Sequence, residues 1–184
     1  MLEGLNIDFS SLNEYPDLPE IVEDGETFFE NALKKAKVVS EYTGEVVLAD
    51  DSGLEVDFLG GKPGVYSSRY SGPDATDERN IIKLLEELEG VPMNKRDASF
   101  RCAFVFFRPD GTFDLFEGSW RGKIGHEPIG TGGFGYDPVF IVPELGRTVA
   151  ELSPGVKNRL SHRAKAFGRL RKKLEGEQRS GLHS

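Results

Sequence analysis

The sequence has few of the residues on which several classes of protein depend. Its 184 residues include a single cysteine, Cys102, which excludes an internal disulfide and a zinc site built from several cysteines. The longest apolar run, at residues 102–107, is too short to span a bilayer, and the N-terminus lacks the pattern of a signal peptide. We therefore expect a protein of the reducing cytoplasm with no membrane partner, and Cys102 packed as a small apolar side chain.

Basic residues are missing from residues 1–30, which carry nine acidic residues, and the whole chain has a net charge of -8. Residues 157–173, by contrast, contain eight Lys or Arg and no acidic residue. An acidic protein binds nucleic acid poorly, because phosphate contacts dominate that affinity. The local basic cluster fits a small phosphate-bearing ligand better, although the solvated face of a helix would look the same.

Local patterns predict both helices and strands. Residues 27–43 are typical of a helix that begins with a capping box at Thr27 and Glu30 and ends at Gly44. A buried strand over 45–49 is predicted to end at Asp50. The remaining predicted elements are a strand at 54–58, a helix at 75–89, a hairpin of 98–107 and 112–117, a strand at 139–142, a helix at 161–175 and a frayed tail at 176–184. An antiparallel hairpin among helices indicates an α/β or α+β fold with a mixed sheet, in one domain spanning residues 1–184.

A glycine-rich segment, residues 130–135, matches the Gly-x-Gly-x-x-Gly pattern of dinucleotide-binding proteins. That fingerprint requires a helix directly after it, whereas here Tyr136-Asp137-Pro138 and a β-type run follow. The glycines permit close backbone approach to a ligand, with Phe134 and Tyr136 offering aromatic faces, or they form a tight connection between strands. The sequence has neither a P-loop motif nor the nucleophile elbow of a serine hydrolase.

Two adjacent carboxylates, Asp50 and Asp51, precede Ser52 and Gly53 at the end of the predicted strand. Carboxylates placed together repel each other unless a cation neutralises them, and Mg²⁺ suits carboxylate and phosphate oxygens. Because neighbouring strand residues point to opposite faces, one carboxylate can bind metal while the other supports the loop. An ordinary polar turn is the alternative. Glu23 is a candidate second carboxylate, or else a solvent-facing charge.

Basic residues in two places are candidates for binding a ligand. Lys35 lies on the apolar face of the first predicted helix, where its ammonium group either meets phosphate or extends into solvent. Lys157, His162 and Arg163 belong to the basic C-terminal stretch. A histidine such as His162, taken alone, more often has a structural role than a binding role.

Five longer motifs together resemble the inosine triphosphate pyrophosphatase family, and they occur in the order typical of that family. The resemblance extends from about residue 4 to residue 174. The motifs are Thr27-Phe28-Phe29-Glu30-Asn31-Ala32, Ala49-Asp50-Asp51-Ser52-Gly53-Leu54, Pro63-Gly64-Val65-Tyr66-Ser67-Ser68-Arg69-Tyr70-Ser71-Gly72, Gly130-Thr131-Gly132-Gly133-Phe134-Gly135-Tyr136-Asp137-Pro138 and Leu160-Ser161-His162-Arg163.

The resemblance implies an elongated α/β fold in which helices flank a mixed β-sheet and two lobes surround a central nucleotide-binding cleft. It also implies a homodimer. The implied reaction is Mg²⁺-dependent hydrolysis of a purine nucleoside triphosphate, ITP, dITP or XTP, to the nucleoside monophosphate and pyrophosphate. Such an enzyme removes non-standard purine nucleotides from the nucleotide pool.

The resemblance further implies a role for each matching residue. Asp51 would be the general base and a metal ligand with Asp50 beside it, Glu23 would be the second metal-binding carboxylate, and Lys35 would face the phosphates. The implied substrate-binding residues are Ser52, Phe134, Gly135, Tyr136, Asp137, Lys157, His162 and Arg163, the last three around the purine.

One feature departs from the family pattern. Family members open with a strand and a Ser/Thr-x-Asn-x-x-Lys loop that binds the triphosphate, and residues 1–30 contain no such motif. We therefore expect weak substrate binding and reduced stability, and a gain in activity when the upstream segment is added. Two alternatives stay open: a nucleotide-binding protein with impaired catalysis, and a Maf-type nucleotide pyrophosphatase, against which the Phe-Gly-Tyr-Asp and Ser-His-Arg motifs argue.

Overall fold

The computed structural model describes residues 8–181, with side chains as far as residue 177. The helices are α1 (Phe28–Thr43), α2 (Asp77–Glu87), α3 (Pro154–Leu160) and α4 (His162–Gly181). The strands are β1 (Val47–Val56), β2 (Asp97–Phe107), β3 (Phe113–Ile124), β4 (Phe140–Val142) and β5 (Arg147–Thr148). The strands form one sheet in the order β1-β2-β3-β4-β5.

The α/β class is confirmed, but the sheet pairings among residues 8–181 are all antiparallel rather than mixed. Val56, the last residue of β1, pairs with Ala98 near the start of β2. The long connection that carries α2 therefore re-enters the sheet at the end where it left. A parallel pair would instead need that connection to cross the sheet from one end to the other.

Strand β1 continues through residues 50–53, where we predicted a break. Asp50 pairs with Phe104 of β2 and Gly53 pairs with Arg101, so backbone pairing extends across the polar segment. The predicted strand at 54–58 is wrong beyond Val56, because Phe58 lies in a short helical turn and is 52% exposed. The first strand was predicted to end at Asp50 because polar side chains begin there. Side-chain polarity, however, does not interrupt the hydrogen bonds between strand backbones.

Helix α1 begins and ends as predicted. The Thr27 hydroxyl accepts from the Glu30 N–H, the Glu30 carboxylate accepts from the Thr27 N–H, and Gly44 adopts the left-handed conformation that ends the helix. The apolar face of α1, with Ala32 and Ala36 fully buried, packs on one face of the sheet against alternate residues of β2. This contact places the polar residues of α1 beside β1.

Helix α4 covers the opposite face of the same sheet. Ala166 packs against Cys102 and Phe104, which alternate along β2 with the residues that meet α1. Cys102 is therefore buried as expected, and burial raises the pKa of its thiol to about 12. The helix extends to Gly181, so residues 176–181 are helical where we predicted part of a frayed tail. Residues 182–184 lie outside the described part of the chain.

A second packing region lies at the other end of the long strands. Leu84 of α2 and Leu88, which follows the helix, pack with Leu54 and Val56 of β1. The aromatic residues Trp120 and Phe140 belong to the same cluster. Ile82 is 49% exposed, because the buried stripe of α2 passes through Ile81 and Leu84. A cavity borders this second packing region, which contributes Leu54, Phe100 and Trp120 to its lining. In the described chain, no helix is long and apolar enough to cross a membrane.

Candidate active site

Two carboxylates meet one lysine where α1 lies against β1. Lys35 Nζ is 3.2 Å from Glu23 Oε1 and 3.4 Å from Asp51 Oδ1. The side chain of Asp51 is 13% exposed and that of Lys35 is 21% exposed, so solvent screens the group only in part. The structure thus brings together three of the predicted catalytic and metal-binding residues: Glu23, Lys35 and Asp51.

Asn31 is a member of this cluster that the sequence analysis missed. It is completely buried, its Nδ2 donates to Asp51 Oδ2 at 3.1 Å, and its Oδ1 accepts from the Gly25 N–H at 2.8 Å. The available signal was its position four residues before Lys35, which puts both side chains on the same face of α1. Asn31 therefore orients Asp51 and also anchors the segment that carries Glu23.

The segment around Glu23 has a second anchor. Arg69 donates from Nη2 to the Glu23 carbonyl at 3.0 Å, and its guanidinium lies 5.0 Å from the centre of the Tyr66 ring. Arg69 is the last residue of the short helical segment Gly64–Arg69, which lies between β1 and α2, and it thus connects this part of the chain to the acidic segment. Residues 8–27 contain no strand and little helix, so such anchors hold the Glu23 carboxylate near Asp51.

Burial raises the pKa of Asp51 above its ordinary value, while Lys35 and the Asn31 amide oppose that change. Within residues 8–181, no group of three or more His, Cys, Asp or Glu is arranged to hold a metal alone. Mg²⁺, however, is commonly held by one or two carboxylates together with water and substrate phosphates. Glu23 and Asp51, which approach the same point, fit that kind of site.

Asp50 lies on the opposite face of β1 and does not join Asp51. Its Oδ2 accepts from Arg163 Nε at 3.1 Å. This placement agrees with the alternation of side chains along a strand, from which the sequence analysis put the two carboxylates on opposite faces. It does not put Asp50 beside Asp51, as the family resemblance implied. Further along the same strand, position 53 has room only for glycine, since a Cβ there would lie 2.3 Å from Ser67 Oγ. That hydroxyl accepts from the Leu54 N–H.

On the Asp50 face of the sheet lies a cavity of about 330 Å³. It is bounded by β1 and β2 on one side and by the 134–137 loop, α3 and the start of α4 on the others. All the predicted substrate-binding residues line it: Ser52, Phe134, Gly135, Tyr136, Asp137, Lys157, His162 and Arg163. Lining residues that the sequence analysis missed include Phe100, Trp120, Asp77 and Asn158, whose types are too common in cores and loops to be singled out.

Phe134 projects from its loop with 62% of its surface exposed. Lys157 Nζ lies 4.2 Å and Arg163 Cζ 5.8 Å from the centre of its ring. Asp137 accepts from the Phe134 N–H at 3.0 Å and also binds Lys157 Nζ. The loop thus presents one aromatic ring beside two cations, an arrangement suited to a flat base attached to phosphate.

Tyr136 has a different role from Phe134. It is 4% exposed and belongs to the core, and its hydroxyl donates to the Ser67 carbonyl at 2.9 Å. Gly135 N–H donates to Asp77 Oδ2 at 2.6 Å, which ties the loop to the start of α2. Only part of the predicted aromatic surface is therefore free for a ligand, and that part is Phe134.

The glycines before Phe134 serve the fold. A Cβ on Gly130 or Gly132 would lie 2.9 Å or 2.8 Å from the backbone of Ala150. No helix follows the segment, so it is not a dinucleotide-binding turn, as the sequence analysis concluded. The close approach that these two glycines allow is to the protein's own chain, which was the alternative interpretation.

His162 is buried against the cavity. Its ring stacks on Phe100 with a centroid separation of 5.2 Å, and its Nδ1 has no hydrogen-bond partner among the described residues. Burial, and then the nearby cations Arg163 and Lys157, lowers the pKa of His162 to about 3. The imidazole is therefore neutral at physiological pH, and Nδ1 is free to donate or accept one hydrogen bond to a ligand.

Four basic residues of the 157–173 stretch form two groups of two. Lys157 and Arg163 line the cavity. Lys165 and Arg169 instead donate to the carbonyls of Ser119 and Glu117 on β3, at 2.9 Å and 2.7 Å. The first group fits a phosphate-bearing ligand, whereas the second attaches α4 to the sheet.

Comparisons with known proteins point to one family. Residues 1–173 match the Ham1 family. The dITP/XTP pyrophosphatase of Shouchella clausii is 53% identical over 166 residues, which cover 90% of this chain and 84% of that protein. The dITP/XTP pyrophosphatase of Geobacter sulfurreducens is 54% identical over 174 residues, which cover 95% of this chain and 87% of that protein.

Solved structures give the same result. A HAM1 protein from Coxiella burnetii has a TM-score of 0.90 and 44% identity to this chain, covering 95% of this chain and 89% of its own. The Ham1 protein of Staphylococcus aureus has a TM-score of 0.85 and 43% identity, with coverages of 90% and 85%. The resemblance inferred from the motifs is confirmed, and the chain belongs to the Ham1 family.

Proposed function

We propose that this protein hydrolyses ITP, dITP and XTP to the nucleoside monophosphate and pyrophosphate, and so removes non-standard purine nucleotides from the nucleotide pool. One observation carries the proposal: the predicted substrate-binding residues surround a single cavity, while the Glu23, Lys35 and Asp51 cluster lies across β1 from it. The name dITP/XTP pyrophosphatase, borne by relatives 53% and 54% identical to this chain, supports the same conclusion.

The cavity has the chemistry to recognise a 6-oxo purine. The exposed Phe134 ring can stack on the base, and Nδ1 of neutral His162 or the guanidinium of Arg163 can donate to the 6-oxo group. Adenine carries an amino group at that position, which would leave a buried donor unpaired at a cost of about 1–3 kcal/mol. Such a cost corresponds to roughly 5- to 150-fold discrimination against ATP.

The Asp51 cluster has the chemistry for water attack on the α-phosphorus. Asp51 takes a proton from the attacking water as the new P–O bond forms, and the bond to the bridging oxygen breaks, so that pyrophosphate leaves with the electron pair. Its raised pKa favours proton acceptance, and Lys35 stabilises charge on the phosphoryl oxygens. Mg²⁺ held by Glu23 and Asp51 would supply further stabilisation of that charge.

The test is pyrophosphate release from ITP, XTP, GTP and ATP, with Mg²⁺ and with EDTA. We expect release from ITP and XTP that depends on Mg²⁺ and falls by at least about 100-fold in Asp51→Asn. Asp24→Asn is the matched control, because Asp24 belongs to the same acidic segment as Glu23. Its carboxylate is exposed and pairs with Lys34 rather than with Lys35. GTP is the informative competitor, since guanine shares the 6-oxo group and the donors named above do not exclude it.

Other outcomes would favour the alternatives. Binding of ITP without release of pyrophosphate would indicate a nucleotide-binding protein with impaired catalysis. Hydrolysis of pyrimidine nucleoside triphosphates in preference to ITP would indicate a Maf-type activity. Release that is unchanged in EDTA would contradict the role of Mg²⁺.

We also propose that the protein acts as a homodimer in the cytoplasm. Large apolar side chains that remain about half exposed, among them Phe58 at 52% and Tyr66 at 58%, offer surface for a second copy. Light scattering after gel filtration would give the mass, and a mass equal to one 20.4 kDa chain would contradict the dimer. Cell fractionation would test the location.

A further inference from the structure

Asp50 and Asp51 are consecutive residues of a continuous strand, and their carboxylates serve different faces of the sheet. Asp51 binds Asn31 and Lys35 of α1, whereas Asp50 binds Arg163 of α4. The two carboxylates share no partner among these contacts. The function of Asp50 is therefore to be sought on the cavity side, where its partner Arg163 lies.

We infer that Asp50 is a positioning residue for Arg163, and that this pair sets the affinity and selectivity of the cavity for its purine base. The inference rests on the proposed function and deepens it. Asp50 is assigned to base recognition, and the chemical step is left to Asp51.

The geometry of Arg163 supports this role. Its Nε donates to Asp50 Oδ2 at 3.1 Å, and among the described residues its terminal nitrogens have no hydrogen-bond partner. The guanidinium carbon lies 5.8 Å from the centre of the Phe134 ring, and Arg163 lines the cavity. An arginine held through Nε alone keeps its paired terminal N–H groups for a ligand.

The pair is poorly explained by stability. The Arg163 side chain is 37% exposed and that of Asp50 is 35% exposed, and ion pairs at such positions contribute little to folding. The main effect of the pair is to restrict a long, flexible side chain to one direction. The backbone of Arg163 is held independently, because Gly118 of β3 allows the adjacent His162 carbonyl to approach the sheet closely.

The test compares Asp50→Asn and Asp50→Glu with Asp51→Asn. Asp50→Asn keeps the size of the side chain but removes its charge. We expect KM for ITP to rise by about tenfold, with kcat changed less than threefold and the preference for ITP over ATP reduced. Asp50→Glu should recover part of the lost affinity, because it restores the carboxylate. Asp51→Asn should lose kcat instead.

A matched control is available directly after the same strand. Asp57 also forms an ion pair with an arginine, Arg121, at 2.5 Å, but neither residue lines the cavity. Asp57→Asn should leave KM, kcat and selectivity as in the wild type. Any effect of Asp50→Asn that also appeared in Asp57→Asn would be attributed to the sheet and would overturn the inference.

A double-mutant cycle separates positioning from a structural role. In the Arg163→Ala background, adding Asp50→Asn should cause no further rise in KM, because the residue it positions is gone. Independent effects of the two substitutions would overturn the inference. Loss of kcat in Asp50→Asn comparable to that in Asp51→Asn would overturn it as well.

Nucleotide binding provides a readout that does not need turnover. Trp120 is the only tryptophan of the chain and it lines the cavity, so its fluorescence reports binding of IMP or ITP. We expect Asp50→Asn to weaken IMP binding by about tenfold. Wild-type binding without hydrolysis would overturn the proposed reaction and leave this inference standing. Equal affinities of the wild type and Asp50→Asn would overturn this inference and leave the reaction standing.

Discussion

Asn31 connects Asp51 to the segment that carries Glu23: its Nδ2 donates to Asp51 Oδ2 at 3.1 Å while its Oδ1 accepts from the Gly25 N–H at 2.8 Å. The opposite orientation of the amide would place an oxygen against the Asp51 carboxylate and an NH₂ group against the Gly25 N–H. Electrostatics therefore permits one orientation only. Asp51 is held in place by a residue that is itself held by the backbone near Glu23.

Asn31→Ala should reduce both activity and stability. The substitution leaves the Gly25 N–H and one oxygen of Asp51 without a protein partner, and each such loss costs about 1–3 kcal/mol. We expect kcat to fall by at least about tenfold and the free energy of unfolding to fall by about 2–4 kcal/mol, measured by steady-state kinetics and urea denaturation. Asn94→Ala, at an exposed position, should change the free energy of unfolding by less than about 0.5 kcal/mol. A fully active Asn31→Ala protein would contradict the positioning of Asp51.

Gly118 determines how closely α4 approaches the sheet. A Cβ at this position would lie 2.0 Å from the His162 carbonyl oxygen and 3.0 Å from the Ala166 nitrogen. Gly118→Ala should therefore displace the start of α4, lower the free energy of unfolding by about 1–3 kcal/mol or more, and raise KM because His162 moves. Thermal denaturation and kinetics would measure both effects.

Gly168 supplies the matched control within α4. A Cβ there would meet nothing within 4 Å, and alanine favours a helix over glycine by about 0.5–1 kcal/mol. Gly168→Ala should therefore stabilise the protein and leave KM unchanged. If both substitutions destabilised the protein equally, close approach at Gly118 would not be the cause.

His162 should make the stability of the protein sensitive to acid. The pKa of His162 falls from 6.5 to about 3 on folding because the ring is buried. Between these pH values the unfolded chain binds a proton that the folded chain does not, so stability is full above pH 6.5 and decreases as the pH is lowered. At about pH 5 the expected loss is about 2 kcal/mol.

The measurement is urea denaturation of the wild type and His162→Gln at about pH 7 and about pH 5. Carboxylates contribute equally to the pH dependence of stability in the wild type and in His162→Gln. The difference between the pH dependences of the two proteins therefore isolates the contribution of His162. His126→Gln, which alters an exposed histidine, should behave as the wild type. Identical pH dependence in the wild type and His162→Gln would rule out a buried neutral imidazole.

Arg96 joins the end of β3 to the end of α2. It is 2% exposed, and its guanidinium donates to four carbonyls, those of Ile124, Leu88, Val91 and Gly125. Arg96→Met should lower the free energy of unfolding by about 3–5 kcal/mol, because several buried carbonyls lose their donors. The exposed pair made by Arg121 gives the comparison: Arg121→Met should cost less than about 1 kcal/mol. Chemical denaturation of both variants measures the difference.

Local signals predicted the elements that depend on neighbouring residues. The capping box at Thr27 and Glu30 and the stop at Gly44 lie within a few residues of the helix that they delimit, so short-range hydrogen bonds decide them. The predicted hairpin of β2 and β3 also has a local signal, the Pro109-Asp110-Gly111 turn between two apolar runs. Local signals failed at Asp50, because a polar side chain does not show whether the backbone ladder continues beyond it.

The sequence by itself determined the family, the residue types around the cavity and the alternation that puts Asp50 and Asp51 on opposite faces of a strand. Only the tertiary structure decided which partner each carboxylate meets. Asp51 lies 20 residues from Asn31 in the chain, and Asp50 lies 113 residues from Arg163. Contacts over such separations depend on how helices pack across the sheet, and no local periodicity encodes that packing.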